Sequence, residues 1–201
     1  TPMTSFKGMC PTIRRPRNVL FTISQLTYKI QLKNWTCYNM SMTRSEKLKE
    51  KINSLYQSKN PNRADWADWL YENHVFVVAD KAKELAVRFG ANAELAEAAG
   101  MLHDIADANM SRFDPSHEKE NEQVAQELLE ESGFDKEEIS IVVEDAIRYH
   151  GCHEGKVPHS LEGKVMATAD AVIHLSSDFY IHGIEQMKKN QLEFRISHRF
   201  G

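Results

Sequence analysis

Cysteine is scarce in this chain, and its placement excludes two chemistries. The three cysteines, Cys10, Cys37 and Cys152, form no CxxC pair and are odd in number. That argues against a disulfide scaffold and a cysteine zinc knuckle, and it fits a reducing compartment, with the cytoplasm as the expected location. Long apolar runs are missing too. No stretch of about 18 apolar residues is present, so no transmembrane helix is read and no membrane partner is expected. No compact apolar segment resembles a secretory signal. A Gly-rich phosphate loop and a GxSxG elbow are both absent, which removes the usual signatures of P-loop enzymes and serine hydrolases. Alternating strand patterns and internal repeats are missing as well.

Acid is missing too, but only from one end. Residues 1–41 contain Lys7, Arg14, Arg15, Arg17, Lys29 and Lys33 and no Asp or Glu. The net charge of −4 therefore divides into +6 for this segment and −10 for the rest. An acidic body argues against broad nucleic-acid binding and favours a small-molecule site. The basic segment is rich in Thr, Arg, Asn and Pro and lacks a helical period. It reads as an irregular N-terminal tail outside the core, either an upstream extension or an Arg-rich targeting segment. Met42 opens a charged helical run and looks like a natural start for a domain over 42–201.

What the chain does have is helical periodicity. Hydrophobic content of 41% and charged content of 27% are ordinary for a soluble globular protein. Helical stretches are expected over about 43–57, 64–89, 92–106, 116–132, 135–150 and 160–188. The breaks fall at Asn60-Pro61-Asn62, Phe89-Gly90, Asp114-Pro115-Ser116, Ser132-Gly133, Gly151 and Val157-Pro158. The expected fold is all-α, a compact multi-helix bundle. The C-terminal dozen residues are less regular. Trp66, Trp69 and Tyr71 read as core rather than as an interface edge.

Several polar residues lie on apolar helical stripes, where they are costly unless paired or metal-bound. His74 shares a stripe with Leu70, Val78, Ala82, Leu85 and Phe89. His103 follows Leu95 and Ala99. His150 follows Ile139, Val143 and Ala146, and Asp170 lies between Met166 and Ile173. His103 is followed directly by Asp104. Imidazole, imidazole beside carboxylate, and a distant carboxylate are the side chains that hold Zn, Mn, Fe, Co or Ni. A bundle that points them inward from three helices can hold such an ion. His159, His174, His182 and His198 read as surface or packing residues.

The order His74, His103-Asp104, Asp170 resembles the HD-domain metal-dependent phosphohydrolases. So does the local text Glu72-Asn73-His74-Val75, Ala99-Gly100-Met101-Leu102-His103-Asp104-Ile105 and Ala167-Thr168-Ala169-Asp170-Ala171. The resemblance spans about 64–178. It implies a divalent metal on His74, His103, Asp104 and Asp170. The family also has a two-metal form, in which Asp104 would bridge and His117 and His150 would hold the second ion, with His153 a competitor. It further implies a small-molecule phosphate ester or anhydride as substrate, with nucleotides the first guess. A metal-bound water of lowered pKa would attack, and Asp107, three residues past Asp104, would orient it or simply end a helix. Arg63, Lys81, Arg112, Arg148 and Lys156 are the cations available for phosphate. Two other readings remain open: a di-iron oxygenase of the same superfamily, and a metal-retaining regulatory or binding domain.

Overall fold

A computed structural model describes residues 42–200, with side chains to Lys189. The basic tail, the Arg-rich targeting reading and the side chain of His198 lie outside what it describes. Among the described residues there is no strand, and the fold is all-α as expected.

Helix α1 (Arg44–Gln57) starts with a capping box. The Thr43 side chain accepts from the Glu46 amide, and Glu46 accepts from the Thr43 amide, which satisfies two of the orphan donors at a helix start. Its buried face is Leu48, Ile52 and Tyr56. The next rod runs through α2 (Ala67–Leu70), a π-helical turn (Tyr71–Val75) and α3 (Phe76–Phe89). It stops at Gly90, whose φ of 79° most other residues resist. Asn92 then caps α4 (Ala93–Leu102), accepting from the amides of Glu94 and Leu95. A 3-10 turn (Ile105–Ala108) follows, then α5 (His117–Ser132). Next come α6 (Lys136–Ile139) and a π-helical stretch (Ser140–Ile147). A 3-10 turn (His153–Gly155) leads to α7 (Leu161–Ser176) and α8 (Phe179–Phe200).

The centre is formed by α3, α4 and α7, which pack on one another, with the Ser140–Ile147 stretch against α4 and α7 and with α1 across α4 and α5. Helices α3 and α4 both bury small residues: Ala79, Ala82 and Ala86 on α3, and Ala96, Ala99 and Gly100 on α4. A Cβ on Gly100 would lie 2.7 Å from Ala79 Cα, so the two backbones meet at a spacing only glycine permits. Leu48, Ile52, Leu70, Leu102 and Met166 are fully buried in the core, each worth about 1.5–3 kcal/mol in apolar transfer. Trp66, Trp69 and Tyr71 are partly buried against the core, as the sequence indicated.

Two expectations need correcting. The single helix expected over 160–188 is two helices, broken at Ser177, whose φ of −121° and ψ of −179° are extended. Ser176, Ser177 and Asp178 offer side-chain hydrogen bonds that compete with the helix, and Ser177 Oγ turns back to Ile173 O at 2.7 Å. The C-terminal segment, expected to be irregular, continues as α8 to Phe200.

Candidate metal centre

His74 sits in the π-helical turn, fully buried. Its position in a π turn, where the ladder widens by one residue, is typical of functional sites. His103 is the C-cap of α4, and Asp104 leaves the helix at φ −121°, ψ 27°. Asp170 projects from the middle of α7. Three separate helical elements thus bring one imidazole or carboxylate each to the same point.

The distances among His74, His103 and Asp170 approach those of a coordination shell, while Asp104 stands at its edge with Oδ2 paired to Arg112. His74 Nε2 lies 3.1 Å from His103 Nε2 and 3.3 Å from Asp170 Oδ1. His103 Nε2 lies 3.6 Å from both Asp170 Oδ1 and Asp104 Oδ2. Ligands about 2.1 Å from one ion are separated by roughly 3.0 Å at a right angle and roughly 3.4 Å in a tetrahedron. His74, His103 and Asp170 can reach a single ion together. The proton assignment agrees. His103 Nδ1 donates to Gly100 O at 2.8 Å, which leaves its Nε2 lone pair facing His74 and Asp170. Asp170 Oδ1 is buried and has no hydrogen-bond partner. A buried carboxylate oxygen left that way is costly, and a divalent cation is the group that satisfies it. The residues present therefore fit a metal. His74 Nδ1 is also buried without a partner.

Charge is tightly managed around this point. Burial works against ionising Asp104, yet Arg112, His103, His150 and His74 outweigh it and hold the carboxyl well below its usual range. For Asp170, burial is likewise opposed, by the His74 contact and then by His103 and His174, and the net direction is down.

Of the cations available from sequence, the structure singles out Arg112. Its Nη2 lies 2.6 Å from Asp104 Oδ2 and also contacts Asp107 Oδ2, to which its Nε donates at 3.1 Å. Arg63 pairs with Asp68, Arg148 with Glu122, Lys81 with Glu84 and Lys156 with Glu154. Asp107 is fully buried, and its other oxygen lies 3.1 Å from His117 Nε2. Burial disfavours charge on His117, but its contacts with Asp107 and Glu118 prevail and push it up to about 9.

The residues expected for a second ion are brought near but not into the cluster. His150 places its ring 5.4 Å from that of His103, with Nδ1 donating to Ile147 O at 2.6 Å. His117 faces Asp107. His153 and Cys152 are exposed in the turn after the Ser140–Ile147 stretch.

Two site residues escaped the sequence reading. His174, grouped there with surface histidines, lies one turn after Asp170, with Nε2 3.1 Å from Asp170 Oδ1. Its ring stacks 5.0 Å from His74 and 3.7 Å from Phe179. The Asp-x-x-x-His spacing was the available signal. Asn121, 2% exposed, clamps the His-Asp turn. Its Nδ2 donates to Leu102 O at 3.3 Å and His103 O at 2.8 Å, and its Oδ1 accepts from the Ala106 amide at 2.9 Å. It is four residues from His117. The buried face of α5 is thus His117, Asn121, Ala125 and Leu129, with Val124 and Leu128 partly buried beside it.

Among the described residues, no helix is long and apolar enough to cross a membrane. No curated protein and no solved structure matches the chain. The family model for the HD domain matches residues 71–174, more than half of the 201 residues and the whole span from the π turn to His174. The chain therefore belongs to the HD-domain metal-dependent phosphohydrolase superfamily.

Proposed function

We propose that this protein hydrolyses phosphate esters or anhydrides on a small molecule, with a divalent transition metal held by His74, His103, Asp104 and Asp170. The observation that carries the reading is the convergence of the His174, His74 and His103 Nε2 atoms, at 3.1, 3.3 and 3.6 Å, on a buried Asp170 Oδ1 that makes no well-aligned hydrogen bond. When bound, such an ion supplies a water of lowered pKa and neutralises phosphoryl charge. Arg112 is placed to add positive charge beside the transferring group, where developing charge needs fixed donors. Asp107, expected from the sequence to orient the attacking water, has Arg112 on one oxygen and His117 on the other, and is proposed to act by fixing those two cations. Asn121 holds the backbone turn on which His103 and Asp104 are carried. His150 and His117 would be the residues to hold a second ion beside Asp104, His117 only after releasing the proton that Asp107 stabilises on it.

The test is metal analysis of the purified protein and of His103→Ala and Asp104→Ala, followed by phosphate release from a panel of esters, anhydrides and nucleotides with Mn, Co, Ni, Mg and Fe. Metal content and phosphate release both fall sharply in the two variants. Unchanged stoichiometry and activity in both would refute the assignment. Iron-dependent oxygen uptake without phosphate release would replace hydrolysis by oxygenation.

A further inference from the structure

We infer that a cavity beside the metal centre receives the organic part of the substrate, and that this part carries an aromatic ring. The inference rests on the phosphohydrolase reading above. The cavity has a volume of about 300 Å³ and is walled by Trp66, Phe113, Phe179, Tyr180, Met187 and Arg112.

Two of these walls are shared with the metal centre. Arg112 lines the cavity and contacts Asp104 and Asp107. Phe179 lines it and packs 4.9 Å from the His74 ring and 3.7 Å from the His174 ring. Trp66 closes the gap between them, 5.1 Å from the Arg112 guanidinium and 5.4 Å from Phe179. A phosphoryl group at the ligand cluster thus lies one side chain from the cavity. The break at Ser177 creates this arrangement, because it is what turns α8 back across Trp66.

The chemistry of the walls selects the occupant. Four aromatic rings are present, and Phe113 and Tyr180 are 66% and 55% exposed. Aromatic faces left open to water are stabilised by a flat ring placed against them. The volume is at the low end for ligand sites, which suits one ring or two fused rings and is short for a long acyl chain. Gln186 also lines the cavity, and its Oε1 is buried with no partner. An N–H or O–H on the ring would satisfy it.

The experiment uses the metal-loaded full chain and two esters whose alcohols are of similar acidity, benzyl phosphate and methyl phosphate. In each, water forms the new P–O bond, the ester P–O bond breaks, and the alcohol leaves with a proton. Cyclohexylmethyl phosphate separates an aromatic preference from a merely apolar one, and nucleoside monophosphates test whether the ring is a base. Binding of benzylphosphonate is measured separately by calorimetry. The expected KM for benzyl phosphate is below that for methyl phosphate by about tenfold, the worth of one partly buried ring. Phe113→Ala and Ile184→Asp, both at residues lining the cavity, raise the benzyl KM by a similar factor with little change in kcat, and weaken benzylphosphonate binding in step. Tight benzylphosphonate binding without any turnover upholds the cavity and overturns only the hydrolase reading. Turnover with no benzyl preference, or equal preference for cyclohexylmethyl, overturns the inference. So does self-association that Ile184→Asp abolishes while benzylphosphonate fails to bind, since the face would then serve a second copy of the chain.

Discussion

Replacing Gly100 by alanine tests whether the metal centre depends on how closely α3 and α4 approach. The added Cβ would lie 2.7 Å from Ala79 Cα, 3.0 Å from Ala79 N and 3.3 Å from Val78 C. Ordinary carbon contacts lie at about 3.5–4.0 Å, and backbone atoms have no rotamer in which to escape. The helices must separate by roughly 1 Å. Overpacking of this kind costs about 1–3 kcal/mol, and contact with backbone places it at the upper end. Alanine regains about 1 kcal/mol in helix propensity. The net loss is about 2 kcal/mol, a fall in Tm of about 4–8 °C for a domain of this size. The same displacement separates His74, five residues before Ala79, from His103, three residues after Gly100. Metal sites tolerate errors of only about 0.2 Å in ligand distance, so metal affinity falls roughly tenfold or more. Thermal melts with and without metal, together with titration of Mn or Zn, measure both effects. Val87→Ala, at a position 73% exposed on the same rod, is the control and changes neither. A Gly100→Ala protein with raised Tm and unchanged metal affinity would show that propensity, not close approach, governs this position.

Three other outcomes follow from the same geometry. Arg112→Met leaves Asp104 and Asp107 as buried carboxylates without their guanidinium, and melts should show a loss of about 3 kcal/mol; Arg112→Lys recovers only part, because lysine has no second nitrogen to replace the Nε donor to Asp107. Asn121→Leu removes three hydrogen bonds to the His-Asp turn, and the loss should appear as weaker metal binding as well as a lower Tm, whereas a purely structural role would lower Tm alone. His117 is held at about 9, above the ordinary histidine value of about 6.5. Its contribution to stability is complete below that ordinary value and is lost as pH rises through about 9. A pH series of melts on the parent and His117→Gln should converge at alkaline pH, and a constant gap would contradict the assignment.

Helix periodicity was legible because each rod buries one face, and the face leaves a repeat of three and four in the chain. His74, His103 and Asp170 stood out for the same reason, as polar residues on stripes that must be dry. What escaped were features set by local geometry or by pairing across space. Ser177 ends a helix through its own hydroxyl, a competition that a continuing apolar stripe conceals. His174 is separated from Asp170 by one ordinary turn and is only half-buried, so its hydrophobic neighbours gave little contrast. Arg112 could not be told from four other cations, because only the fold places it between two carboxylates. Asn121 lies on the buried face of α5, but a lone amide on a helix face does not disclose the backbone turn across space that it clamps.

The π turn at Tyr71–Val75 gives the rod through α2 and α3 a phase defect. One extra residue per turn rotates everything before it by about 100° relative to α3. Trp66, which walls the cavity, and Ala79, which meets α4, are therefore in register only across that defect. Removing a single residue from the turn would leave composition, hydrophobicity and helix propensity almost unchanged while swinging the two ends of the rod a quarter turn apart. For anyone redesigning this chain, the number of residues between Leu70 and Phe76 is a stricter constraint than the identity of most of them.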